Sequence, residues 1–307
     1  MIILNAKQIA EKQNRFVSGH RMCAGCGIPT IVNQVLASVD NVVVACATGC
    51  LEVASTIYPF TAWNVPFIHN AFENAAATIS GVETAYKVLK KKNKIKDDIK
   101  FLAFGGDGGS FDIGLQSLSG ALERGHDFVY ICYSNEGYMN TGNQRSSATP
   151  YGASTTTTPA GKVIPGKIQF RKNLTEICAA HKIPYVGQTS AHAYWDLTEK
   201  VRKAFANTPA VIVVLQPCPT NWGFNSDMTV QISKLAADTC FWPLYEIEHG
   251  KYKLNYKPNK KLPVTEFLKE QGRFKHLFRP ENKPMIEKIQ QYVDTEWERL
   301  TRLTGSE

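Results

Sequence analysis

Four apolar residues, Phe101 to Phe104, run directly into Gly105-Gly106-Asp107-Gly108-Gly109, and this junction restricts the fold more than any other stretch of the 307 residues. A short apolar run that stops at a glycine-rich turn reads as a buried strand. A helical pattern from about Ile113 to Arg124 and a second apolar strand, Phe128 to Tyr133, follow it. The same alternation recurs on both sides. Cys26–Leu36 reads as a helix leading into the strand Val42–Ala45, and roughly Ala71–Lys90 as a long amphipathic helix. Later, Leu174–His181 reads as helix, Tyr185–Gln188 as strand, Tyr194–Phe205 as helix, and Val211–Leu215 as a near-continuous β-branched strand. Strands that are apolar throughout and alternate with helices predict an α/β fold, a parallel sheet covered by helices on both faces.

Two segments depart from that pattern. Residues 138–168 are rich in Thr, Ser, Gly and Pro and carry few large apolar side chains. A structureless stretch of this length inside a compact domain marks function, and it follows the C-terminal end of a strand, where α/β folds hold ligands. The tail from about Trp242 is dense in aromatic and basic residues and ends in a helix near Met285–Leu303. The expected division is therefore an α/β domain over 1–240 and a C-terminal arm over 241–307 that packs on partner subunits.

Composition limits the function classes. No apolar run approaches the roughly 18–20 residues of a membrane helix. The N-terminus, MIILNAKQIAEKQNRF, has neither the apolar core nor the small-residue cleavage site of a signal peptide, so a cytoplasmic location is expected. In that compartment eight cysteines read as metal ligands, reactive thiols or small core residues rather than as disulfides. The formal charge of +8 favours an acidic partner, either nucleic acid or a small acidic electron carrier. The lysine-rich stretch 87–96 reads as a solvated helix end or as docking surface.

Asp107 has a counterpart one helix and one strand later, Asn135. A diphosphate is held through a hard divalent cation that takes oxygen ligands, and Asp107 and Asn135 offer a carboxylate and an amide carbonyl at one sheet edge. Gly106 and Gly108 let the backbone approach the phosphates, and the following helix start favours their charge. A dinucleotide fingerprint fits worse, because Phe111 stands where the third glycine of G-x-G-x-x-G belongs. Cys23-Ala-Gly-Cys26 is a C-x-x-C pair, with Cys50 in Thr-Gly-Cys-Leu-Glu and Cys218 in Pro-Cys-Pro-Thr-Asn-Trp as further candidates. Four thiolates suit zinc or an iron–sulfur cluster, and no second C-x-x-C of a zinc ribbon is present. Cys46, Cys132, Cys178 and Cys240 lie within or beside apolar segments and read as core.

Gly106-Asp107-Gly108 followed about 30 residues later by Asn135 is similar to the cofactor motif of thiamine-diphosphate enzymes. The resemblance implies magnesium bound by Asp107, Asn135 and the Gly137 carbonyl. Further matches span roughly residues 19–275 and resemble the β subunits of pyruvate:ferredoxin oxidoreductases. They include Gly19-His20-Arg21-Met22-Cys23-Ala24-Gly25-Cys26-Gly27, Ala47-Thr48-Gly49-Cys50-Leu51-Glu52 and Ala62-Trp63-Asn64-Val65-Pro66. Ala71-Phe72-Glu73-Asn74-Ala75-Ala76, Gln144-Arg145-Ser146, Ala148-Thr149-Pro150-Tyr151-Gly152-Ala153 and Gln271-Gly272-Arg273-Phe274 belong to the same set.

That family implies one [4Fe–4S] cluster on Cys23, Cys26, Cys50 and Cys218, with Thr48, Gly49 and Cys50 beside the cofactor. It also implies oxidative cleavage of a 2-oxoacid through thiamine diphosphate, with electrons passed singly to the cluster and then to ferredoxin. The activating glutamate is expected from a partner α subunit, and coenzyme A is a further candidate partner. Asn140 maps to an asparagine near the cofactor's reactive end. Asn143 is a departure, since relatives carry glycine or an aliphatic residue there. An amide at that point would suit the second carboxylate of oxalate, which leaves pyruvate and oxalate as leading substrates ahead of branched or aryl 2-oxoacids. Asn221, where glycine is commoner, is a second departure to which the sequence attaches no meaning. Two other classes compete: a cluster-free thiamine-diphosphate decarboxylase, and a zinc–cysteine module that binds nucleic acid. The first lacks a C-x-x-C entry, and the second leaves the Asp107–Asn135 pairing without a purpose.

Overall fold

The computed structural model describes residues 11–305. The first ten residues, on which much of the signal-peptide expectation rests, lie outside them. No helix among the described residues is long and apolar enough to cross a membrane.

In chain order the first half is α1 (Ile28–Ala37), β1 (Val42–Ala47), α2 (Cys50–Ser55), β2 (Phe67–Asn70), α3 (Ala75–Lys91), β3 (Lys100–Gly106), α4 (Leu115–Glu123) and β4 (Val129–Ser134). The second half is α5 (Leu174–Ala179), β5 (Tyr185–Ser190), α6 (Tyr194–Ala206), β6 (Ala210–Leu215), α7 (Pro219–Trp222) and α8 (Thr229–Asp238). It closes with β7 (Tyr245–Glu248), β8 (Lys251–Leu254), α9 (Thr265–Leu268) and α10 (Lys283–Thr304). The eight strands form one sheet in the order β2-β1-β3-β4-β6-β5-β7-β8. The first six are parallel, and β7 and β8 join antiparallel at one edge.

Side chains alternate across the central strands and build a core on each face. On one face Val44, Cys46, Leu102, Phe104, Ile131 and Tyr133 meet α1 and α6. On the other, Ala45, Ala103, Tyr130, Cys132 and Val213 meet α3, α4, α8 and α10. The expected parallel α/β sheet with helices on both faces is what forms.

The expected boundary near residue 241 is not a boundary within this chain. Strand β7 pairs with β5, Tyr245 opposite Gln188, and Trp242, Leu244, Phe267, Phe274, Leu277, Val293 and Leu300 are buried in the chain's own core. The tail's aromatic residues thus cover the sheet that the first 240 residues build. Strand β2 is short and half exposed, and no strand is expected there from the sequence. The lysine-rich helix end is partly neutralised locally, with Lys87 on Glu83 and Asp127 and Lys90 on Asp98.

Candidate active site at the carboxyl edge of the sheet

Strand β2 lies on one side of β1 and β3 on the other, so the winding reverses between β1 and β3. A crevice opens at the carboxyl ends of strands at such a switch point. Here it is lined by Thr48, Gly49 and Cys50 after β1, Gly106 to Gly109 after β3, and Asn135, Gly137 and Asn140 after β4. The neighbouring register, Gly106 opposite Tyr133, is what brings Asp107 and Asn135 together.

Asp107 is fully buried, and its carboxylate oxygens are held by the Asn135 peptide N–H at 3.2 Å and by the Ser146 hydroxyl. Burial pushes its acid up to about 7, with the hydrogen bonds opposing that rise and the nearby Glu136 charge adding to it. A cation bound here must therefore displace a proton near neutrality. The Asn135 side-chain oxygen faces two further acceptors, Asp107 Oδ1 and the Gly137 carbonyl, each 2.9 Å away. With the amide turned over, its nitrogen would donate to both. In either orientation a carboxylate, a side-chain amide and a peptide carbonyl meet at one point, and these are ligand types that a hard divalent cation takes. Gly108 has to be glycine: a Cβ would stand 2.2 Å from the Tyr138 ring, whose hydroxyl donates to the Gly108 carbonyl at 3.0 Å.

Cys23, Cys26, Cys50 and Cys218 are all free, and Cys50 lines the crevice. Gly25, with φ +74°, lets the C-x-x-C loop press on the segment after α7. A Cβ there would meet Ser226 O at 2.0 Å, and the Thr229 hydroxyl donates to Gly25 O at 2.6 Å. Burial pushes the thiols of Cys26 and Cys50 up to about 12, and Cys218 also rises. Cys218 and Cys23 raise Cys26 further, and Cys218, Cys26 and Cys23 raise Cys50, so the four sense one another's charge. Among the described residues no three His, Cys, Asp or Glu side chains form a set for a single ion. Cys46, Cys132, Cys178 and Cys240 are buried, as expected of core residues.

Asn143 is not brought to the crevice. It is absent from the lining, it has φ +62°, and its carbonyl accepts from Thr156 N at 3.0 Å. Left-handed backbone suits glycine and asparagine alike, which accounts for the residue type without a substrate contact.

Several residues of the site were not legible beforehand. Glu136, between the two metal-ligand candidates, is buried with φ +62° and forms ion pairs with Arg273 at 2.6 Å and Arg171 at 3.2 Å. The Arg273 guanidinium lies 3.6 Å from the centre of the Trp222 ring, and Trp222 Nε1 donates to Asn135 O at 2.7 Å. Trp222 N also donates to Cys218 O at 2.9 Å. The Cys218 loop and the Asn135 turn are thereby fastened to each other.

Residues 46–214, more than half of the chain, match the family described as thiamine pyrophosphate enzyme, C-terminal TPP binding domain. Pyruvate synthase subunit PorB of Thermotoga maritima is 54% identical over 312 aligned positions, covering 98% of this chain and 96% of that protein. The chain belongs to the β subunits of the 2-oxoacid:ferredoxin oxidoreductases. Within this family, ketoisovalerate oxidoreductase subunit VorB of Pyrococcus abyssi is 44% identical, with 95% of this chain and 94% of that one covered. A 2-oxoglutarate:ferredoxin oxidoreductase from Magnetococcus marinus shares the fold, with a TM-score of 0.59 at 21% identity, covering 73% of this chain and 74% of that one. Membership gives the chain its chemistry class, thiamine-diphosphate-dependent oxidation of a 2-oxoacid.

Proposed function

We propose that this subunit holds thiamine diphosphate through magnesium on Asp107, Asn135 and the Gly137 carbonyl, in an enzyme that oxidises pyruvate. The observation that carries the metal assignment is the meeting of the Asp107 carboxylate, the Asn135 amide and the Gly137 carbonyl at one point. Octahedral magnesium with bonds of 2.0–2.1 Å needs neighbouring ligands about 2.9 Å apart, and Asn135 lies at that separation from both partners. Thiamine diphosphate supplies the electron sink for cleaving the bond between carboxylate and carbonyl carbons. The chain's own residues do the rest of the holding. Asp107 and Asn135 fix the diphosphate end, Gly108 and Tyr138 shape the wall, and Asn140 and Thr141 line the crevice where a substrate would enter.

In the same proposal a [4Fe–4S] cluster is assigned to Cys23, Cys26, Cys50 and Cys218, four free thiols in a chain with no second C-x-x-C. The mutual electrostatic influence of Cys26, Cys50, Cys218 and Cys23 supports one shared centre, and four thiolates are the usual ligands of such a cluster. Cys50 belongs both to this set and to the crevice lining, which keeps the path for an electron short. Ferredoxin is the acceptor in this proposal, and the other subunits dock on surfaces such as the exposed Tyr58–Phe60 loop and Val163–Ile164. Pyruvate leads among substrates because the 54%-identical relative is a pyruvate synthase subunit and because Asn143 does not line the crevice.

The test is viologen reduction by the oxygen-free complex with pyruvate, 2-oxoisovalerate, 2-oxoglutarate and oxalate, with coenzyme A present. Pyruvate should give the highest kcat/KM, and Cys50→Ser should abolish turnover together with the broad absorbance near ~400 nm of thiolate-bound iron. Faster turnover of oxalate would refute the substrate, and an unchanged spectrum in Cys50→Ser would refute the ligand set.

A further inference from the structure

Asn221 stands one helical turn beyond Cys218, and its Nδ2 lies 3.7 Å from Cys218 Sγ, within the reach of an N–H···S hydrogen bond. The segment between them is rigid for identifiable reasons. Pro219 opens α7 with its fixed φ, and Gly223 ends the helix in the left-handed conformation with φ +73°. Trp222, the next residue, is clamped by its bonds to Asn135 O and Cys218 O and by the Arg273 guanidinium above its ring. Cys218 and Asn221 lie on one face at i and i+3, so this fixed backbone sets the amide beside the sulfur.

We infer that Asn221 sets the reduction potential of the iron–sulfur cluster, holding it more positive than thiolate ligation alone would. This rests on the cluster reading given above and deepens it. Each one-electron reduction adds negative charge that is shared with the ligating sulfurs. A neutral donor aimed at one of them stabilises the reduced form more than the oxidised form. The electron comes from the 2-oxoacid being oxidised and leaves for ferredoxin, and no bond or proton changes hands at Asn221. A glycine or alanine at this position would leave the Cys218 sulfur without that donor and make the cluster harder to reduce.

The experiment is an EPR-monitored redox titration of the oxygen-free complex carrying wild-type, Asn221→Ala or Asn221→Asp chains, with iron content measured on each. At a fixed ambient potential near the wild-type midpoint, the reduced-to-oxidised ratio should fall about tenfold in Asn221→Ala. That is a midpoint about 59 mV more negative for a one-electron couple. Asn221→Asp keeps the shape but replaces the donor by a negative charge, and should shift further in the same direction. Coincident titrations at full iron content, or a positive shift in Asn221→Ala, would overturn the inference. A wild-type complex without iron would overturn the cluster reading itself and this inference with it.

Discussion

Asp107→Ala is expected to weaken magnesium-dependent thiamine diphosphate binding by more than about 100-fold, beyond what loss of an outer-shell partner of a metal ligand does. The carboxylate is fully buried, and burial raises its acid to about 7, so in the cofactor-free protein it is an unfavourable charge. Its removal relieves that charge but leaves the buried Asn135 N–H and Ser146 hydroxyl without their acceptor, so the cofactor-free fold should change by no more than about 1–3 kcal/mol. That combination separates a lost ligand from a damaged fold. Calorimetric titration with cofactor and magnesium, run beside thermal melts and the cluster's absorption spectrum, reads all three. Cofactor affinity within a fewfold of wild type would remove Asp107 from the site. A collapsed melting temperature together with a lost cluster spectrum would mean that the residue serves the fold instead.

The second large effect is on stability. Arg273→Met should destabilise the chain by about 3–5 kcal/mol, the usual consequence of removing one partner from a buried ion pair. Its partner Glu136 would be left as a buried charge, held only by Arg171 at 3.2 Å, in a left-handed conformation that costs energy of its own. The double variant Glu136→Leu/Arg273→Met should recover a large part of the loss, because apolar replacement of a whole buried pair is often neutral. Denaturant midpoints of the three variants against wild type give the coupling energy. A cost below about 1 kcal/mol for Arg273→Met would show that the pair does not lock the turn between Asn135 and Gly137.

Much of this was legible in the residues. The central strands announce themselves because both their faces are apolar, and the glycine-flanked Asp107 with Asn135 one helix and strand later carries its own chemistry. What could not be read depended on distant partners. Strand β7 is four residues long and pairs with β5 about 60 positions earlier in the chain, so nothing local separates it from an arm. Strand β2 is short and half exposed and lacks an alternating pattern. Glu136 carries no local signal, since its burial follows from two arginines, one of them in the tail. Asn143 drew attention as a departure, but only its φ reveals a backbone reason. Asn221 drew the same attention, and there the structure supplies a sulfur at 3.7 Å instead. Two identical signals in the sequence thus had different causes, and the backbone angle and the nearest atom tell them apart.

Anomalous diffraction from crystals of the complex grown without oxygen, soaked with magnesium and thiamine diphosphate and measured on both sides of the iron edge, tests the account most directly. The expected map has iron density enclosed by Cys23, Cys26, Cys50 and Cys218, and a light cation between Asp107, Asn135 and the Gly137 carbonyl in the adjoining crevice. Zinc or no metal among those four sulfurs, or a diphosphate bound away from Asp107, would contradict it.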